Sequence, residues 1–308
     1  MKLTVLLGLV ALLAACGGGS NQAASSGTEP SAATTTTAAT IPSVEERAQL
    51  LAYDASVPLG LVEKKTKRMN GVGVADVAFD AGDRKVSAFL VRPQGKPKAA
   101  VLWAHWYGEE ANTNRTEFLP DALALARDGV LSLLPQGLFP WEEDVSEDAQ
   151  ADQELAVEQV VQLRRGLDVL QDEAGDVVPL GFVGHDYGAM FGAALVADQR
   201  PQAFVLMAPD ATFSNWFLKY FVRGASKSEL DAAFAPLEPV NNVGDALPAS
   251  VLFQFAKSDR YVPYYVSDKL TEAAGDSAQT ETYESGHELD EKARKDRLAW
   301  LRAELGLS

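Results

Sequence analysis

The residues best suited to chemistry stand in one pentapeptide, Gly184-His185-Asp186-Tyr187-Gly188. It follows an apolar run ending at Val183 and precedes small residues (Ala189, Gly192, Ala193, Ala194) that read as the start of a helix. A residue between two glycines in such a strand–turn–helix is pushed above the sheet, because the glycines let helix and strand close up beneath it. The central residue is Asp. A carboxylate is ionised near neutral pH and needs no base before it attacks. Attack on an sp3 carbon gives an alkyl ester that water can hydrolyse; attack on an ester carbonyl gives an anhydride. Asp186 therefore favours an epoxide or a carbon–halogen bond over an ordinary ester.

The elements that must carry this turn can be read from periodicity. Val74–Phe79 and Val86–Val91 read as strands joined by the turn Asp80-Ala-Gly-Asp83, a hairpin. Ala99–Ala104 and Val130–Leu134 are continuous apolar runs, as in strands buried on both faces. Between them Phe118, Ala122 and Leu125 have helical spacing, ended by Gly129; Ala156, Val160, Leu163, Leu167 and Leu170 mark a long helix. Strands follow at Val177–Val183, Ala203–Met207, Val251–Phe255 and Thr280–Tyr283, with helices at Ala189–Ala197 and 289–305. A hairpin followed by alternating strands and helices is an α/β pattern with a mostly parallel sheet. Ligands in such sheets sit beyond the carboxyl ends of the strands.

The elbow in this context resembles the α/β-hydrolase superfamily, over essentially all of 72–308. The hairpin followed by PKAAVLWAHWYG and ALALARDGVLSLLPQ is most similar to the dienelactone-hydrolase branch. That branch has Cys or Ser at the elbow, whereas Asp in GHDYG is similar to epoxide hydrolases and haloalkane dehalogenases. The resemblance implies an α/β-hydrolase fold, with helices on both faces of the sheet and a small cap between strands 203–207 and 251–255. It also implies the partners of Asp186. Asp259, in Ala256-Lys-Ser-Asp259-Arg-Tyr-Val-Pro263, would be the orienting acid, with Asp210 as its rival. His287, in Tyr283-Glu-Ser-Gly-His287, would be the base that activates water. Backbone N–H groups of Trp106 and Tyr187 are the expected oxyanion donors. Tyr220 is the candidate acid toward an epoxide oxygen, and Trp106 a candidate halide donor. His105 and His185 read as structural. The aromatics of 213–222 read as a lid over an apolar pocket or as core packing. Two alternatives share the fold: an ester or lactone hydrolase that tolerates Asp at the elbow, and a small-ligand-binding protein whose elbow has lost catalysis.

Composition bounds the rest. The 308 residues carry 27 Lys and Arg against 43 Asp and Glu, a net charge of −16, which argues against a nucleic-acid partner. One Cys and three His exclude an intramolecular disulfide and a Cys-rich metal site; no cofactor or metal is implied. The N-terminus has Met1-Lys2, an apolar run from Leu3 to Ala15, and Leu13-Ala14-Ala15-Cys16. This resembles the lipobox of bacterial lipoproteins. It implies a signal peptide over 1–15, lipidation of Cys16, and a lipid bilayer as partner at an extracytoplasmic face of the cell envelope. Residues 16–43, rich in Gly, Ser, Ala and Thr, read as a flexible linker. Ser43-x-x-Glu46 is a capping box that starts a folded domain over 44–308.

Overall fold

A computed structural model describes residues 40–107, 114–175, 178–221 and 224–307. The leader, Cys16 and the linker up to residue 39 lie outside them, as do Val177 and Val222. No helix among the described residues is long and apolar enough to cross a membrane. The first helix, α1 (Val44–Leu50), begins at the expected capping box, with Ser43 and Glu46 satisfying each other's backbone N–H.

Among the described residues nine strands form one sheet: β1 (Val62–Met69), β2 (Val72–Ala81), β3 (Arg84–Arg92), β4 (Ala99–Ala104), β5 (Val130–Pro135), β6 (Leu180–His185), β7 (Pro201–Met207), β8 (Ser250–Ala256) and β9 (Ala278–Tyr283). Their order is β1-β2-β3-β5-β4-β6-β7-β8-β9. The first three are antiparallel, and β3 also meets β5 antiparallel; β5, β4, β6, β7, β8 and β9 run parallel. The expected hairpin is β2–β3. Sequence periodicity misses β1, which reads Val-Glu-Lys-Lys-Thr-Lys-Arg-Met and is solvent-exposed over most of its length. Its charged side chains blunt the sheet edge, and that composition hides the strand.

Alternation along the central strands divides the core in two. In β4, Ala100, Leu102 and Ala104 join one apolar cluster, while Ala99, Val101 and Trp103 join the other. The first cluster is covered by α3 (Ala149–Ala174), α4 (Tyr187–Leu195) and α8 (Val266–Ala274). The second is covered by α2 (Leu119–Ala126) and α9 (Glu291–Glu304). Between β7 and β8, where the cap is expected, stand α5 (Phe213–Tyr220), α6 (Lys227–Phe234) and the single turn α7 (Pro239–Asn242).

Candidate active site

Four parallel strands end on one edge and deliver the site. Ala104 pairs with Gly184 across β4 and β6, and Ala256 with Tyr283 across β8 and β9. These registers set the loop after β4 beside Asp186, and the Asp259 loop beside the His287 loop. The second pair is sewn together by hydrogen bonds from Lys257 N–H to the Tyr283 carbonyl (2.9 Å) and from Ser258 N–H to the Ser285 carbonyl (3.0 Å).

Asp186 has φ 54° and ψ −118°, a strained conformation for a residue with a Cβ. Two hydrogen bonds hold it there: its N–H donates to the Met207 carbonyl (2.8 Å), and its carbonyl accepts from Met190 N–H (2.9 Å). The flanking glycines are required by close approach. A Cβ on Gly184 would lie 2.4 Å from the Gly188 carbonyl oxygen, and one on Gly188 would lie 2.1 Å from that of Ala104. The side chain ends up 2 % exposed, at the floor of a cavity of about 1060 Å³.

The structure brings Asp186, His287 and Asp259 into line. His287 Nδ1 donates to Asp259 Oδ2 at 2.8 Å, and its Nε2 faces Asp186 Oδ1 at 3.9 Å. Asp259 Oδ1 accepts from the N–H groups of Tyr261 (2.8 Å) and Val262 (3.0 Å). Burial works against the Asp259 carboxylate, but His287 and these two donors outweigh it and hold the group below its ordinary value. Asp210, the rival, accepts from Thr212 N–H (3.3 Å) instead, and burial pushes it up.

Asp186 is the opposite case. Burial pushes its carboxyl up to about 7, against the opposing pull of His287 and the backbone N–H groups of Tyr107 and Tyr187. The Tyr107 N–H donates to Oδ2 at 3.2 Å, while Oδ1 has no hydrogen-bond partner among the described residues.

This corrects one expected donor. The Trp106 N–H does not face the nucleophile position; it donates to Glu117 Oε2 at 2.8 Å. The donor is Tyr107, one residue further on. The Trp106 peptide is fixed from its other end too, because its carbonyl accepts from Trp141 Nε1 (2.9 Å) and from His105 Nδ1 (2.9 Å). His105 Nε2 accepts from Gly137 N–H at 3.0 Å, so the proton sits on Nδ1. Burial lowers His105 to about 4 and keeps it neutral, the structural role expected of it. His185 is also buried, bonded to Glu117 and to the His287 carbonyl. Sequence reasoning missed Tyr107 and Glu117. An offset of one in the oxyanion loop could have been suspected where Trp replaces Gly; nothing in the sequence marks Glu117.

The cap aromatics divide by helix face. Phe213 and Phe217 are core residues packed on Tyr187 and Phe234, while Trp216, Tyr220 and Phe221 line the cavity. The Tyr220 hydroxyl donates to the Tyr261 carbonyl (3.0 Å), so its proton is committed away from Asp186. Trp106 lines the cavity with its ring. No group of three or more metal-ligating side chains occurs among the described residues.

The strand order, the elbow and the residues after the parallel strands together define the α/β-hydrolase fold. Comparison with solved structures agrees. Acetyl xylan esterase 1 from Thermoanaerobacterium sp. superposes with a TM-score of 0.66 at 15% identity, covering 88% of this chain and 96% of that one. A glucuronoyl esterase from Solibacter usitatus gives 0.61 at 12%, over 84% and 91%. A protein from Klebsiella pneumoniae assigned as a dienelactone hydrolase gives 0.57 at 17%, over 78% and 100%. At such identities the likeness is one of fold. No protein-family description matches the chain, and no curated protein matches it in sequence.

Proposed function

We propose that this chain is a hydrolase that forms a covalent ester on Asp186, acting on a small apolar substrate with an epoxide or a carbon–halogen bond. One observation carries the reading: Asp186 Oδ2 rests on the Tyr107 N–H, while Oδ1 is free and faces the His287 ring. Oδ1 attacks the substrate carbon. The carbon–halogen bond breaks and halide leaves, or the epoxide C–O bond breaks and its oxygen takes a proton from solvent water in the open cavity. His287 then removes a proton from water, which adds to Cγ of Asp186. The charge that develops falls on Oδ2, already held by the Tyr107 N–H. On collapse the bond from Cγ to the alkyl oxygen breaks, that oxygen takes the proton back from His287 and leaves as the alcohol, and Asp186 sheds its own proton to return to the carboxylate. Asp259 holds the Nδ1–H tautomer, leaving Nε2 free to act as base.

A second reading, ester hydrolysis, is favoured by the structural neighbours, several of which are esterases. Lipid anchoring through Cys16 to an envelope membrane belongs to the same proposal and rests on the N-terminal motif. Loss of labelled fatty acid in Cys16→Ser is the expected outcome; full retention would exclude it.

The deciding experiment is intact mass of His287→Gln after incubation with epoxides, haloalkanes and aryl esters. Removing the base blocks the second half-reaction, so an adduct mapped to the peptide bearing Asp186 is expected with epoxides or haloalkanes. Wild-type turnover of aryl esters in 18O-water, with no adduct in the variant and no 18O in Asp186, would establish the esterase instead.

A further inference from the structure

The hydrogen bonds of His185 impose a proton count. Its Nε2 lies 2.9 Å from the His287 carbonyl oxygen, which can only accept, so Nε2 carries a proton. Its Nδ1 lies 2.6 Å from Glu117 Oε1, and that contact also needs a proton between the two atoms. An imidazole is a stronger base than a carboxylate, which places the second proton on the ring. The ring is nearly parallel to Trp106 (2°) with centroids 5.5 Å apart, a face that attracts a cation. The titratable groups beside the pair are His287, whose carbonyl bonds to His185 and whose ring centroid lies 5.0 Å away, Asp186, next in the chain, and Asp259 behind His287.

We infer that Glu117, half-buried on the cavity wall, and the buried His185 form a carboxylate–imidazolium pair that positions both halves of the site. Glu117 Oε2 takes the Trp106 N–H at 2.8 Å and so leaves the next N–H, that of Tyr107, for Asp186. His185 grips the main chain of His287, whose ring centroid is 5.0 Å from its own. One pair thus joins the loops after β4, β6 and β9. Neither residue is required to touch substrate; both act through Tyr107 and His287. The kinetic consequence rests on the proposed roles of Asp186 and His287, but the proton count does not.

The test is nitrogen-15 NMR of the full-length protein labelled at histidine. With three histidines in the chain, three imidazoles appear, and His287→Gln assigns one set. His185, whose two nitrogens both face acceptors, is expected to show a proton on each, with a strongly downfield Nδ1 proton, under conditions in which His105 shows one bare nitrogen. Glu117→Gln should leave His185 singly protonated. A bare His185 nitrogen in the wild type, or two protons retained in Glu117→Gln, would overturn the inference. If Glu117→Gln does not fold, the wild-type spectrum alone decides. With a substrate in hand, Glu117→Gln should lower kcat by about tenfold or more with KM within about twofold; raised KM at unchanged kcat would overturn the positioning role. If no substrate is turned over, the hydrolase reading fails while the spectrum still tests the pair.

Discussion

Asp186 Oδ1 and His287 Nε2 stand 3.9 Å apart, with no hydrogen bond between them. That gap is too long for a hydrogen bond and defines the division of labour. A serine at an elbow would need the imidazole on its oxygen; a carboxylate does not. In the proposed reaction this leaves His287 to serve water in the later step.

The proton affinity of Asp186 ties its chemistry to pH. Attack needs the ionised form, and burial pushes the carboxyl up to about 7, so ester formation should rise with pH to half-maximum near there. The sign for stability is opposite. The folded state holds this proton more tightly than the unfolded chain, so the stability it contributes in acid is lost as pH rises from about 4 to about 7. Asp186→Asn cannot ionise. It should form no ester, and should exceed the wild type in stability by about 1–3 kcal/mol at pH 8, with a smaller gap near pH 4.5. Thermal melts at the two pH values check this; a gap independent of pH would refute it.

Asp259→Asn should separate the two half-reactions. Oδ1 can still accept from Tyr261 and Val262, but an amide donor at the Oδ2 position favours the wrong tautomer of His287. Ester formation should stay near the wild-type rate while its hydrolysis slows by about 10²–10⁴. Rapid-quench measurement of the adduct would show it accumulating. Equal slowing of both steps would argue against the assignment.

Gly188→Ala should be severe. The added Cβ would sit 2.1 Å from the Ala104 carbonyl oxygen and 2.7 Å from that of His105, both main chain and unable to swing aside. A loss of about 2–4 kcal/mol is expected from urea unfolding. Gly286→Ala, where nothing lies within 4 Å, is the control and should change stability by about 0.5 kcal/mol or less.

Glu238 governs the cap from beneath. It is buried, accepts from the N–H groups of Phe213 and Ser214 at the start of α5, and burial pushes it up to about 8. The same helix carries Trp216 and Tyr220 on the cavity wall. Glu238→Ala leaves those donors unpaired, and should cost about 1–3 kcal/mol and raise KM more than it lowers kcat. An unchanged urea midpoint would show that the cap does not depend on this contact.

Much of this was legible in one dimension because it is local. The β2–β3 hairpin, the apolar strands β4 and β5, and the GHDYG turn each depend on residues within a few positions of one another. Strand β1 was not legible, because an edge strand of charged residues carries no apolar period. Its partner β2, not its own composition, makes it a strand.

By itself the sequence determined the elbow: an apolar run, two glycines flanking Asp186 and a small-residue helix start place the central residue above the sheet. It also placed His287 and Asp259 after strands, in an order that let them be nominated. Tertiary structure alone decided which candidates meet. The parallel registers of β4 with β6 and of β8 with β9 bring Asp259 onto His287 and leave Asp210 aside. They also let Glu117, more than sixty residues before the elbow, take the Trp106 N–H and turn the next one to Asp186. Hydrogen bonds between distant loops depend on where the sheet ends its strands in space, and no local spacing encodes that.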